Sequence, residues 1–403
     1  MGLFCYLAPT QLYTTRQPET FQAAFSYWNA MHEKTHIRAD ASALNFLDKL
    51  GINDQLARDG LTEVMINRPY EMFVEGSFGI ERIENPELSL DKLMKLANVL
   101  CNYNDKHISA ASPIHSVTLP AGERGHIMIP PSCEDRTVVM AIRKPSTSRF
   151  SLDGYIETGR LQGFDDASRY GSAGSLKDGA SGASSIEIDG RHFRDISDKM
   201  GLPHDVPLAD WQYQMLEAKA NRDLDTFFRL AITRKLNICM VGGTGSGKTT
   251  FTKALVDMID PQTRLITIED THELDTPNHP NHAHLFYKEH ITAKQIIAAC
   301  MRLKPDRILL TELRGDEAWD YLSALNTGHP GGLTSVHAND ARSVHYRIAQ
   351  LAMESPAGKA MPYDYILNTV RTTIDVVCFF HRTYMTELYF DPVEKYQALR
   401  GKA

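Results

Sequence analysis

From residue 62 onward the chain alternates apolar and polar positions clearly enough to assign elements. TEVMIN and YEMFVE are two short β-like runs on either side of Arg68-Pro69, a hairpin pattern. Leu90, Leu93, Met94, Leu96, Ala97 and Leu100 then fall on one helical face behind Ser89, which predicts a helix with Ser89 as its N-cap. HSVTL, GHIMI and TVVMAI read as three more strands. Residues 42–160 thus predict one α+β domain. Before them, the aromatic-rich stretch over 21–28 is weakly helical in pattern.

After Pro207 the pattern changes. Residues 211–236 have helical spacing, and NICMV, RLITI, RILLTEL, LTSVH and DVVCFF are continuous apolar strands. Helices over 249–259, in ITAKQIIAACMRL and from Glu317 separate them. Helices alternating with fully apolar strands predict an α/β domain, its mostly parallel sheet covered on both faces. Between the two regions lies GSAGSLKDGASGASS, rich in Gly, Ser and Ala. Such a stretch has little apolar surface to offset its ordering entropy. The expected division is a smaller N-terminal α+β domain over 1–160 (with 1–40 as an extension), a flexible linker over 161–206, and an α/β domain over 207–403.

Composition narrows the function. With 403 residues, 42% of them hydrophobic and 23% charged, the chain holds enough apolar material for more than one core. A formal net charge of −7 argues against a protein that coats nucleic acid. No window approaches a membrane-spanning run, and the first residues make a poor signal peptide. The six cysteines stand singly with no CxxC, the pattern of reduced core thiols in a cytoplasmic protein.

The sharpest chemistry is GGTGSGKT at residues 242–249, which fits G-x-x-x-x-G-K-[ST] between a strand and a helix. Glycines let successive N–H groups curl around phosphate oxygens, Lys248 spans the β- and γ-phosphates of ATP, and the Thr249 hydroxyl ligates Mg²⁺. Gly243, Thr244, Gly245, Ser246, Gly247, Lys248, Thr249 and Thr250 are the expected nucleotide contacts. Hydrolysis also needs carboxylates. Glu269 and Asp270 follow LITI, and Glu312 follows RILLT, all at strand ends where a parallel sheet binds ligands. Glu269 is the expected water-orienting acid, and Glu312 is expected to act on Mg²⁺ through its water shell. His337 lies after a short strand beside a Gly-rich turn. The cluster His272, His279, His282 and His284 invites a metal reading, but without cysteine and with proline breaking the spacing a solvated loop is the expectation.

Together GGTGSGKTT, LITIEDTHEL, PDRILLTELRGDEA and TGHPGGLTSVHAND resemble the ordered motif set of the secretion traffic ATPases. LTEVMINRPYEMFVE, LPAGERGHIMIPPS and AIRKPS resemble one branch of them, the eleventh VirB protein of type IV secretion and its conjugation relatives. The resemblance covers about residues 46–160 and 207–380. It implies a RecA-like P-loop motor domain, preceded by the smaller α+β domain, in a homo-hexameric ring. Glu269 then matches the Asp-box acid, Glu312 the Walker B acid and His337 the His-box histidine. Arg124 and Arg143 match N-domain arginines that reach the nucleotide. Thr311 stands where that pattern usually has Gly. The implied role is ATP hydrolysis driving assembly of, and transport through, a type IV secretion or conjugal transfer system. The implied place is the cytoplasmic face of a bacterial inner membrane, with peripheral contact and other inner-membrane secretion components as partners. A DNA-dependent conjugation motor and a nucleotide-gated scaffold with little turnover are the alternatives.

Overall fold

The computed structural model describes residues 40–145, 149–170, 196–198, 200–288 and 290–401. The chain divides into two compact units between Pro145 and Ser146, earlier than the expected boundary at 160.

In the first unit, six strands form one antiparallel sheet: β1 Leu61–Ile66, β2 Glu71–Gly76, β3 Gly79–Glu84, β4 Ile114–Thr118, β5 Arg124–Met128 and β6 Val139–Arg143. Their order across the sheet is β3-β2-β1-β6-β5-β4. The expected hairpin is β1–β2, and the largely exposed β3 extends it. The helix Leu90–Tyr103 buries Leu93, Leu96, Ala97, Leu100 and Cys101 against the sheet's core. Ser89 does stand at its N-cap, but its side chain accepts no capping hydrogen bond.

The second unit is built on an eight-stranded sheet: β7 Asp165–Asp166, β8 Ile238–Gly242, β9 Leu265–Glu269, β10 His282–Phe286, β11 Arg307–Leu310, β12 Leu333–Val336, β13 Val376–His381 and β14 Tyr384–Phe390. The order is β10-β9-β11-β12-β8-β13-β14-β7, parallel except where β13 and β14 form an antiparallel hairpin. Alternation along each strand feeds two cores, one per face. In β8, Ile238 and Met240 join one cluster, whereas Cys239 and Val241 join the other. This explains the unbroken apolar strands, because both faces are covered.

Three expectations change here. Residues 211–236 are two helices, Asp210–Ala220 and Leu224–Thr233. Arg222 between them is left-handed at φ 58°, and the Asp223 side chain accepts from Thr226 N to start the second helix. The flanks of the expected 161–206 linker belong to the second unit's core, where Leu161, Phe164, Ile196, Met200, Leu202 and Val206 are buried. Fully buried Lys219 anchors the first flank by pairing with Asp166 at 2.9 Å and donating to Ser168 Oγ at 2.7 Å and Phe390 O at 3.1 Å. The Gly/Ser-rich centre, 171–195, and the weak helix at 21–28 lie outside the described residues. Only His272 fits the expected solvated loop, its side chain 47% exposed. His282 and His284 sit on β10, which pairs with β9, and His279 is buried with Nε2 3.1 Å from Ile259 O.

Among the described residues no helix is long and apolar enough to cross a membrane. Cys101, Cys133, Cys239, Cys300 and Cys378 are free thiols, four of them buried.

Candidate active site

β8 delivers the chain to the loop at 242–249. Gly242 takes φ 143°, and a Cβ there would lie 2.3 Å from Phe380 O and 2.7 Å from Ser246 Oγ. Only glycine allows that sharp exit from the strand. Gly247, at φ 91°, is the N-cap of the helix Lys248–Asp257. The N–H groups of this helix's first turn and the positive end of its dipole therefore open onto the loop. Lys248 Nζ folds back to donate to Gly242 O and Gly243 O, each at 2.8 Å. Backbone N–H groups, an ammonium and the Thr249 hydroxyl make up a donor set that fits nucleotide phosphates with Mg²⁺.

The carboxyl ends of β9, β11, β12 and β8 carry, in that order across the sheet, Glu269, Glu312, His337 and the phosphate loop. Glu312 Oε1 lies 3.1 Å from His337 Nε2, while Glu312 Oε2 accepts from Arg314 Nη2 at 2.8 Å. Arg314 also donates to Asp270 Oδ2 at 2.7 Å. Burial pulls the Arg314 guanidinium down, but the hydrogen bond to Glu312 and the charges of Asp270 and Glu312 outweigh it and hold the group above its ordinary value. Glu312 and His337, expected from separate motifs, are thus in direct contact, and Asp270 joins them through Arg314. Thr311 fits without disturbing the strand end: its N–H donates to Ile268 O at 3.1 Å, and its carbonyl accepts from Ser335 Oγ at 2.8 Å.

Glu269, the expected water-orienting acid, ends β9. It is fully buried. Its Oε2 accepts from Glu273 N at 2.8 Å and Leu274 N at 2.9 Å, and its Oε1 from Thr267 Oγ1 at 3.1 Å. A carboxylate in that setting holds the loop after β9 against the strand end, and both of its oxygens are already bonded. At the first turn of the phosphate-loop helix, Glu273 Oε2 accepts from Thr249 Oγ1 at 3.1 Å. Sequence reasoning missed Glu273, although it is the second glutamate of LITIEDTHEL.

Arg124 and Arg143 lie in the first unit. β5 and β6 set them directly opposite one another, and Glu63 of β1 faces Arg143 from its other side.

Residues 208–378 match the family described as Type II/IV secretion system protein. The type IV secretion system protein VirB11 of Bartonella henselae is 34% identical over 92% of this chain and 100% of its own length. A crystal structure of the VirB11 ATPase from the Brucella suis type IV secretion system, in complex with sulphate, is 33% identical; the match covers 91% of this chain and 99% of that one, at a TM-score of 0.47. The pilus retraction motor PilT with bound ADP shares the fold at a TM-score of 0.51 and 16% identity, over 88% of this chain and 86% of that chain. With a full-length VirB11 relative at that identity, this chain belongs to the VirB11 family of type IV secretion ATPases.

Proposed function

We propose that the chain hydrolyses ATP·Mg²⁺ at the 242–249 loop and that turnover powers a type IV secretion or conjugal transfer machine. The observation that carries this reading is the meeting of a phosphate loop with two acid groups on one edge of one sheet. Thr249 contacts Glu273, and the Asp270–Arg314–Glu312–His337 chain lies on the same edge.

Bound Mg²⁺ would supply positive charge that neutralises the nucleotide phosphates. Thr249 is the protein hydroxyl available to it, and Glu312 the acid available to its water shell. Lys248 leaves the carbonyls of Gly242 and Gly243 for the β- and γ-phosphates. Glu273 orients the attacking water and accepts its proton. Glu269 keeps Glu273 in place by fixing the amides of Glu273 and Leu274. His337, half exposed and bonded to Glu312, positions that acid. Arg124 and Arg143 supply the planar cations for the phosphates once the subunits assemble into a homo-hexameric ring. Its place would be the cytoplasmic face of a bacterial inner membrane, held peripherally through other components of the machine.

The test is phosphate release by the purified chain beside Lys248→Ala, with particle size measured with and without ATP·Mg²⁺. Removing a preorganised cation from the transferring phosphoryl group should cost roughly 10²–10³-fold in rate or more, and nucleotide should favour a six-subunit particle. A variant with near-normal turnover, or a chain that remains a monomer under all nucleotide conditions, would overturn the respective part.

A further inference from the structure

Outside the phosphate site, side chains from three places in the sequence converge at the end of β9. Glu269 Oε1 lies 3.4 Å from His272 Nδ1 and 3.9 Å from His284 Nδ1. Glu269, His272 and His284 each bring one donor atom to a point where no two are more than 4.8 Å apart. The rings of His272 and His284 are 4.4 Å apart between centroids. Thr267 Oγ1 donates to Glu269 Oε1 at 3.1 Å and accepts from His284 Nδ1 at 2.7 Å, so His284 shifts its proton from Nδ1 to Nε2 to ligate an ion. Donors around a tetrahedral zinc ion sit about 3.3 Å from one another, given metal–ligand bonds of about 2.0–2.1 Å. The Glu269–His272 separation of 3.4 Å is at that spacing, and the Glu269–His284 separation of 3.9 Å is wider by about 0.6 Å. Two imidazoles and one carboxylate, with a fourth position left for water, form the donor set that zinc-type ions prefer, whereas Mg²⁺ prefers oxygen alone. Entry is open on one side, since the His272 side chain is 47% exposed while Glu269 is fully buried.

We propose that Glu269, His272 and His284 form a binding site for a late transition-metal ion of the Zn²⁺ class, and that its occupancy inhibits turnover at the phosphate loop. The coupling is mechanical and rests on the ATPase reading above. Glu269 would give Oε1 to the ion and keep Oε2 on the amides of Glu273 and Leu274. The ion therefore ties β9, β10 and the Glu273 loop together in the arrangement seen here, with Glu273 bonded to the Thr249 hydroxyl. On that reading Glu273 must swing from this hydroxyl to the attacking water, so a ligand that prefers the locked loop shifts the population away from the competent one.

The test uses the full chain without nucleotide, titrated with Co²⁺ as a spectroscopic substitute and then with Zn²⁺. We expect saturation at one Co²⁺ per chain with the intense visible absorption of a four-coordinate ion, displaced by Zn²⁺ and unaffected by excess Mg²⁺. His272→Ala and His284→Gln should each weaken binding at least tenfold, with melting curves confirming that the variants are folded. The absence of a saturable four-coordinate spectrum, or wild-type binding by both variants, would overturn the site. In a second arm, phosphate release at fixed Mg²⁺ should fall at least fivefold on adding Zn²⁺ and recover with a zinc-selective chelator. His272→Ala, compared with its own metal-free rate, should resist. Equal inhibition of His272→Ala would place the effect at the Mg²⁺ position and overturn the coupling. A chain with no turnover at all would fail the ATPase reading alone, and the Co²⁺ titration would still decide the site.

Discussion

Thr249 Oγ1 donates to Glu273 Oε2 at 3.1 Å, a hydrogen bond that joins the first turn of the phosphate-loop helix to the loop after β9. It places a partly exposed carboxylate beside the hydroxyl that would hold Mg²⁺, while the buried Glu269 fixes the backbone on which that carboxylate stands. The two acids should therefore fail differently. Glu273→Gln should lower kcat by roughly 10²–10⁴-fold, the range of a general base, with ATP binding retained. Glu269→Gln should lower stability by about 1–3 kcal/mol through weakened charge-assisted hydrogen bonds, with faster hydrogen exchange at the Glu273 and Leu274 amides. Turnover, nucleotide affinity and amide exchange measured on both variants separate the roles. If Glu273→Gln turned over normally while Glu269→Gln stayed rigid and inactive, the assignment would have to be reversed.

The cross-strand pairing of Arg124 with Arg143 carries its own signature. If the pair reaches the nucleotide in an assembled ring, Arg124→Gln should hydrolyse ATP more slowly at an unchanged melting temperature. A variant that melts lower at unchanged turnover would make Arg124 a structural residue.

Lys219 tests whether residues 165–170 are part of the second unit's core. Lys219→Met would leave Asp166 buried without its ammonium, a loss of about 3–5 kcal/mol. The pair replacement Lys219→Met with Asp166→Asn should recover most of it. Burial lowers the Lys219 pKa against the opposing pull of Asp166, so an ammonium kept by its partner is the arrangement to be broken. Melting curves of wild type and the two variants decide the matter, and a single variant as stable as wild type would show the anchor to be dispensable.

His345 gives a pH dependence. Burial lowers its pKa from 6.5 to about 4, and its ring packs edge-on against Tyr389 at 4.9 Å. The unfolded chain takes up the proton near pH 6.5 and the folded chain only near 4, so across that window the unfolded state binds more protons. This contribution to stability is complete above pH 6.5 and is lost as pH falls towards 4, by at most roughly 3 kcal/mol. The difference in stability between wild type and His345→Phe, followed from pH 7 to 4, should show that slope. A difference independent of pH would mean that His345 titrates normally.

Much of this protein could be read locally. Strands with both faces covered are apolar throughout, an antiparallel hairpin alternates, and a phosphate loop needs glycines where φ is positive, so neighbouring residues announce β8, the 242–249 loop and the helix behind it. Glu312 and His337 were legible as strand-end residues for the same reason. The tertiary structure alone decided what lies between such segments. β9 is separated from β8 by β11 and β12 in the sheet, so nothing near Glu269 in sequence reveals that it is buried, or that Glu273 reaches Thr249 across 24 positions. β10 carries histidines and too few apolar residues to look like a strand, and it forms because the open edge of β9 supplies its hydrogen bonds. The two residues of β7 have no pattern of their own and are held by Lys219 and β14. In each case the deciding free energy comes from a partner distant in the chain, and local composition does not record that partner.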